Sequence, residues 1–109
     1  MKTKGRTGCI YRIWNTINDM SYIGQTIQPI ENRIRAHFSG KQGCRRLKRA
    51  IEKYGADSFK HELLEDNIPV HYLSDREIYW ISYFNTISPN GYNLTYGGDG
   101  PGIPSEETR

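Results

Sequence analysis

Cys9-Ile10-Tyr11 and Tyr22-Ile23-Gly24 bracket a turn-rich string near the start of the chain, and this pairing constrains the fold more than any other feature. Ile10, Tyr11, Ile13 and Trp14 favour extended backbone, so Cys9 to Trp14 is expected to be a strand. Asn15-Thr16-Ile17-Asn18-Asp19 supplies turn chemistry, and Ser21 to Thr26 is expected to return as a second strand. The result is a hairpin with a loop of about five to six residues. Tyr11 and Tyr22 then stand on neighbouring strands.

Helical spacing takes over after the hairpin. Pro29 suits a first helical turn, and Ile30, Ile34 and Phe38 recur at i, i+4 and i+8, with Gly40 as a stop. Arg33 and His37 are also four apart, so one edge of this helix carries a guanidinium beside an imidazole. A second helix is expected from about Cys44 to Tyr54, ended by Gly55. Leu47, Ala50, Ile51 and Tyr54 form its apolar stripe, while Arg45, Arg49 and Lys53 lie opposite, flanked by Arg46 and Lys48. Phe59 to Glu65 reads as a third, one-sided strand with Phe59, His61 and Leu63 on one face, and Ile68-Pro69 as the loop that ends it. Ser74-Asp75-Arg76-Glu77 has the pattern of a capping box opening a third helix, with Trp80, Ile81 and Phe84 following. That reading puts Glu77 at the solvent end of the core-facing stripe. Ser88-Pro89-Asn90-Gly91 is a turn, and Tyr92 to Tyr96 a short extended piece. The glycines from Gly97 onward read as a linker, and Ser105-Glu106-Glu107 as the start of a further helix. The expected organisation is one domain over residues 7–96, followed by a linker and the start of a further region over 97–109.

Charge is unevenly distributed along the chain. Residues 1–54 hold twelve Lys/Arg against three Asp/Glu, whereas residues 55–109 hold three against nine. A basic half of this strength fits a polyanion, most simply nucleic acid. Lys41, Arg45, Arg46, Lys48, Arg49 and Lys53 lie close together and suit a phosphate-tracking face, although a solvated helix face would look the same. No apolar run is long enough for a membrane span, and none follows the basic Met1-Lys2-Thr3-Lys4 as a secretory signal would require. Two cysteines, Cys9 and Cys44, make no disulfide framework and fit a reducing, intracellular setting. No spacing among Cys9, His37, Cys44, His61 and His71 matches a zinc pattern.

Cleaving a phosphodiester requires deprotonation of a water, stabilisation of the pentavalent phosphate and neutralisation of the leaving oxygen. Glu77 is the candidate for holding one hydrated divalent ion. Arg33 offers a planar, permanent cation for the phosphate. Tyr11 or Tyr22 can relay a proton or orient the water, and His37 can assist. Each residue has a plainer use: Glu77 as a helix cap, Arg33 as a surface charge, the tyrosines as strand packing and His37 as a satisfied core residue.

Taken in order, these residues resemble the GIY-YIG nuclease family. The matching elements are Cys9-Ile10-Tyr11, Tyr22-Ile23-Gly24, Arg33 with His37, Glu77 with Trp80-Ile81, and Gly91-Tyr92-Asn93, spread over about residues 8–96. The resemblance implies a small α/β fold, a three-stranded antiparallel sheet flanked by helices, that hydrolyses DNA with one divalent ion, Mg2+ or Mn2+. It implies that Glu77 binds the metal and Arg33 contacts the scissile phosphate. Tyr11 would be a general base or water-positioning group, supported by Tyr22. His37 would assist proton transfer or hold the phosphate, and Asn93 would brace the site by hydrogen bonds. Arg35, Lys41, Arg45, Arg46, Lys48, Arg49 and Lys53 are the expected DNA contacts. Cys9 departs from the pattern, standing where the first motif has glycine; Gly8 lies one place too early to replace it.

Within the family the chain is most similar to intron-type homing endonucleases and free-standing phage relatives. That likeness implies a monomer acting inside a bacterial or phage-infected cell, with separate DNA-binding modules after the linker. Three other readings stay open: a DNA repair or restriction nuclease of the same family, a catalytically silent DNA-binding module and a protein-interaction domain.

Overall fold

The computed structural model describes residues 6–39 and 44–97. Strand β1 (Thr7–Asn15) pairs antiparallel with β2 (Ser21–Thr26), placing Tyr11 opposite Gly24 and Ile13 opposite Tyr22. The reversal between them is built from asparagine side chains. Asn15 Oδ1 accepts from Ile17 N at 2.9 Å, Asn18 Oδ1 accepts from Met20 N at 2.9 Å, and Asp19 takes the left-handed conformation.

Helices α1 (Ile30–Ser39) and α2 (Arg45–Tyr54) follow, then a 3-10 turn (Ala56–Ser58), strand β3 (Phe59–Pro69) and helix α3 (Val70–Phe84). The strand order is β2-β1-β3, all antiparallel, which is the expected sheet. Central β1 is buried on both faces. Tyr11 and Ile13 pack with Ile34, Leu47, Ala50, Phe59 and Tyr92, beneath α1 and α2. Ile10 joins Ile23, Ile68, Leu73 and Ile81, beneath α3. The period-2 alternation of β1 thus feeds two cores.

Three expectations about β3 and α3 need correction. β3 does not stop at Glu65. It continues through Ile68-Pro69, because Thr7 and Gly8 of β1 keep pairing there after register shifts on either side of Ile10. Pro69 is tolerated as the last residue of an outer strand. Nor is β3 one-sided in the expected way: Phe59 is buried, but His61 and Leu63 are exposed, since Phe59 is the sole β3 residue in the core under α1 and α2. Finally, α3 begins at Val70 rather than at Ser74, and Pro69 makes no side-chain cap. Burial of Leu73 against Ile10 and Ile23 draws the earlier residues into the helix, so packing overrides the capping pattern. Past α3, the piece expected to be extended contributes just one isolated bridge, Ile87 with Asn93.

Candidate active site

The hairpin register explains the glycine of Tyr22-Ile23-Gly24. A Cβ on Gly24 would lie 2.4 Å from the Cζ and Oη atoms of Tyr11, so the bare backbone is where the Tyr11 phenol rests. Tyr11 and Tyr22 share one face of the sheet, with ring centroids 6.3 Å apart. Helix α1 lays His37 against both, at 5.8 Å from Tyr11 and 5.2 Å from Tyr22. The Tyr11 hydroxyl and His37 Nε2 are 2.8 Å apart, both groups buried.

Burial and the charge of Arg33 fix the protonation of this pair. Burial pushes the Tyr11 phenol up to about 12, although Arg33, by its charge and a hydrogen bond, pulls the other way. Burial, reinforced by Arg33, drives His37 down to about 3. At neutral pH the phenol keeps its proton and the imidazole is uncharged. The hydrogen bond therefore runs from Tyr11 O–H to Nε2, which assigns the histidine proton to Nδ1. Tyr22 is held well above its ordinary value, first by burial and then by the neighbouring Tyr11.

Glu77 occupies the middle of α3, on the stripe Leu73, Glu77, Ile81 that faces the sheet. It is 8% exposed, not at the solvent end of the stripe. As the eighth residue of its helix it cannot cap the N-terminus, which removes its plainer reading. Gln25 Nε2 donates to Glu77 Oε1 at 2.8 Å. The Glu77 charge reaches both tyrosines and raises each phenol further. A single buried carboxylate backed by an amide suits one hydrated Mg2+ or Mn2+, which takes oxygen ligands and keeps several waters. Among the described residues no group of three or more His, Cys, Asp or Glu could cage an ion.

Asn93 ties the last segment to the outer strand. Its Oδ1 accepts from Ile23 N at 2.8 Å and from Thr86 Oγ1 at 2.7 Å, and its Nδ2 donates to Ile23 O at 2.9 Å. The side chain thus stands in for a neighbouring strand at the open edge of β2, between Tyr22 and Gly24. Tyr92 N adds a bond to Ser21 O at 2.8 Å.

Cys9 is accommodated as a buried side chain beside the register shift, its thiol pushed up chiefly by burial. In this first motif the position that demands a bare backbone is Gly8, where a Cβ would meet Thr26 O at 2.5 Å.

The basic residues divide. Arg45, Lys48, Arg49 and Lys53 are exposed along α2. Arg46 is half-buried and donates to Gly91 O at 3.2 Å, so it joins α2 to the last loop. Arg35 is exposed beside Asn32 on α1, and Lys41 lies outside the described residues.

Two contributors are absent from the sequence-based candidates. Gln25 carried a signal, as a polar residue at an inward strand position directly after Gly24. Thr86 carried none. Next to Tyr11 in β1, Arg12 lies over the rings of Trp14 and Phe84 and pairs with Glu62 at 2.8 Å.

Comparison with known proteins identifies the family and the fold. The GIY-YIG catalytic domain matches residues 7–93. Intron-associated endonuclease 1 of Enterobacteria phage T4 is 35% identical over 91 residues, 78% of this chain and 36% of that protein. A second phage T4 protein, putative endonuclease segB, is 36% identical over 97 residues, 83% of this chain and 38% of its own length. The chain thus spans well under half the length of either relative. A solved structure of the catalytic domain of intron endonuclease I-TevI, in mutant form, superposes with a TM-score of 0.71 at 31% identity, covering 84% of this chain and 96% of that one. No described helix is long and apolar enough to cross a membrane. On its motifs, its sheet and these matches, the chain belongs to the GIY-YIG catalytic domain family.

Proposed function

We propose that this chain is the catalytic domain of a homing-type DNA endonuclease that hydrolyses phosphodiesters with the help of one divalent ion, Mg2+ or Mn2+. The observation that carries the reading is the buried Tyr11–His37 pair, 2.8 Å apart, with Arg33 against the phenol. A neutral imidazole accepting from a phenol is aligned for a relay, but burial and Arg33 keep His37 a weak base, so the relay would run only once Arg33 has turned to the phosphate. Tyr11 would take a proton from the attacking water as its own passes to His37 Nε2.

Tyr11 is fully buried, so this step requires Arg33 to swing from the phenol to the scissile phosphate as DNA binds. There its guanidinium would offset the charge of the pentavalent phosphate. Tyr22 would pack the relay in place, and Asn93 would hold the strand carrying Tyr22. Glu77, oriented by Gln25, would hold the ion, which would offset charge on the phosphate and the departing oxygen. Arg45, Lys48, Arg49 and Lys53 of α2, with Arg35 of α1, would track the DNA backbone. Residues 7–96 would be the nuclease domain, and DNA-binding modules would lie beyond the 97–109 linker region in the whole protein.

The test is nicking of supercoiled plasmid in Mg2+ by wild type, Glu77→Ala and Arg33→Ala. The wild type should nick and both variants should not. DNA binding that is salt-dependent in all three, with no cleavage in any divalent ion, would instead identify a silent DNA-binding module. Absence of DNA binding at low salt would leave the protein-interaction reading.

A further inference from the structure

We propose that Gln25 is the positioning residue for the metal-holding carboxylate, and that its amide sets how tightly Glu77 holds a divalent ion. This rests on the metal-holding role proposed for Glu77. Gln25 is 3% exposed on β2. The Nε2 group donates to Glu77 Oε1 at 2.8 Å, and Oε1 of the amide is buried with no hydrogen-bond partner. Which amide end faces Glu77 is settled by chemistry, because a carboxylate accepts and therefore meets the NH2 group.

A buried amide with an unsatisfied oxygen weakens a fold. An apolar side chain of similar length would avoid that loss but would take the donor from the buried Glu77 carboxylate. What the amide does supply is orientation. One hydrogen bond to Oε1 fixes the rotation of the Glu77 carboxylate about its last bond, and the carboxylate itself sits in a helix whose backbone cannot adjust. The same arrangement, a hydrogen bond from a supporting residue to a ligating carboxylate, is a recurrent way of fixing metal ligands. The place of Gln25 in the strand suits this role, because it adjoins Gly24, the residue that leaves room for Tyr11. One strand therefore sets both the relay and the carboxylate.

The experiment compares wild type, Gln25→Met, Gln25→Asn and Glu77→Ala. Mn2+ affinity is measured by electron paramagnetic resonance and thermal midpoints are measured in EDTA, both without DNA. Met conserves length and removes the amide, while Asn keeps the amide but falls one methylene short. The expected result is Mn2+ binding weakened about 10–100-fold in both Gln25 variants, with Gln25→Met folded in EDTA at a lower midpoint than wild type, since it takes the donor from Glu77 Oε1. Should Gln25→Met fail to fold, Gln25→Asn decides by the same affinity measurement. Mn2+ binding as tight as wild type in the folded variants overturns the assignment of Gln25 and leaves Glu77 intact. No Mn2+ binding by wild type, or binding unchanged in Glu77→Ala, overturns the metal reading itself and the role of Gln25 with it.

Discussion

Replacing Gly24 by alanine is the smallest change that should disable the proposed relay. The new methyl would stand 2.4 Å from both Cζ and Oη of Tyr11. Ordinary contact between heavy atoms lies at about 3.5–4.0 Å, so the ring must retreat by about 1–1.5 Å. It has no free space to enter, because Tyr11 is fully buried among Ile13, Ile34 and their neighbours. A shift of that size stretches the 2.8 Å bond to His37 past hydrogen-bonding range. Overpacking costs about 1–3 kcal/mol and the lost hydrogen bond about 1 kcal/mol more, giving an expected destabilisation of about 2–4 kcal/mol. An ångström of misplacement in a reacting group costs about 100-fold in rate. Urea titration reads the first quantity, and single-turnover nicking at a temperature where the variant is folded reads the second. Gly55→Ala is the control. Gly55 ends α2 at φ 87° with nothing near its missing Cβ, so alanine strains the backbone there without touching the site. That variant should lose about 1–3 kcal/mol and keep its rate. A Gly24→Ala protein as active and as stable as wild type would refute the argument, since Tyr11 would then be free to move without consequence.

Acid should unfold the protein partly through His37. Its folded value near 3 lies below the ordinary 6.5, so the unfolded chain binds a proton that the folded one refuses. Stability from this residue is therefore full above about 6.5 and declines as pH falls toward 3, by about 2–3 kcal/mol between pH 6.5 and roughly 4.5. Urea midpoints across that range should slope less in His37→Gln; parallel slopes would remove the linkage. Glu65, held below its ordinary value by Trp80 and Arg76 against the opposing effect of burial, also loses its stabilisation as pH drops through its folded value, but equally in both proteins. Asn93→Ala strips the partners from Ile23 N and Ile23 O and should cost about 3–5 kcal/mol. Amide exchange at Ile23 should accelerate, and unchanged protection there would count against the strand-clamping role. Arg12→Lys should cost about 1–2 kcal/mol through lost stacking on Trp14 and Phe84, more than Glu62→Gln at under about 1 kcal/mol. The reverse order would mean that the ion pair outweighs the rings.

Much of the fold was legible because it rests on local signals. The asparagine-rich turn set the first hairpin, and the apolar spacing in α1 and α2 set their inward faces. Arg33 and His37 could be paired from helical geometry alone. Where two signals competed, packing decided. The capping pattern at Ser74 lost to the burial of Leu73, the helix start moved to a residue with no side-chain cap, and Glu77 moved from a helix end to a helix middle. The tail of β3 was hidden because Pro69 reads locally as a strand breaker, whereas its pairing with Thr7 depends on a segment far away in the chain. The site followed the same division. Its residue types were visible in order, but the protonation of Tyr11 and His37 depends on burial by elements distant in sequence. Gln25 could not be joined to Glu77 until β2 and α3 were in contact.

The clamp that Asn93 places on Ile23 joins residues 70 positions apart. Strands β1 and β2 leave the ribosome early, and the tyrosines with them, yet the outer edge of β2 keeps exposed backbone polar groups until the segment around Asn93 is made. Contacts of such sequence separation form late because the loop between them must first be closed. A growing chain therefore carries every basic residue of α2 before it holds a braced site. On the proposed function, attraction to nucleic acid would precede the capacity to cut it, and a chain interrupted before Asn93 would carry the basic face without the braced site.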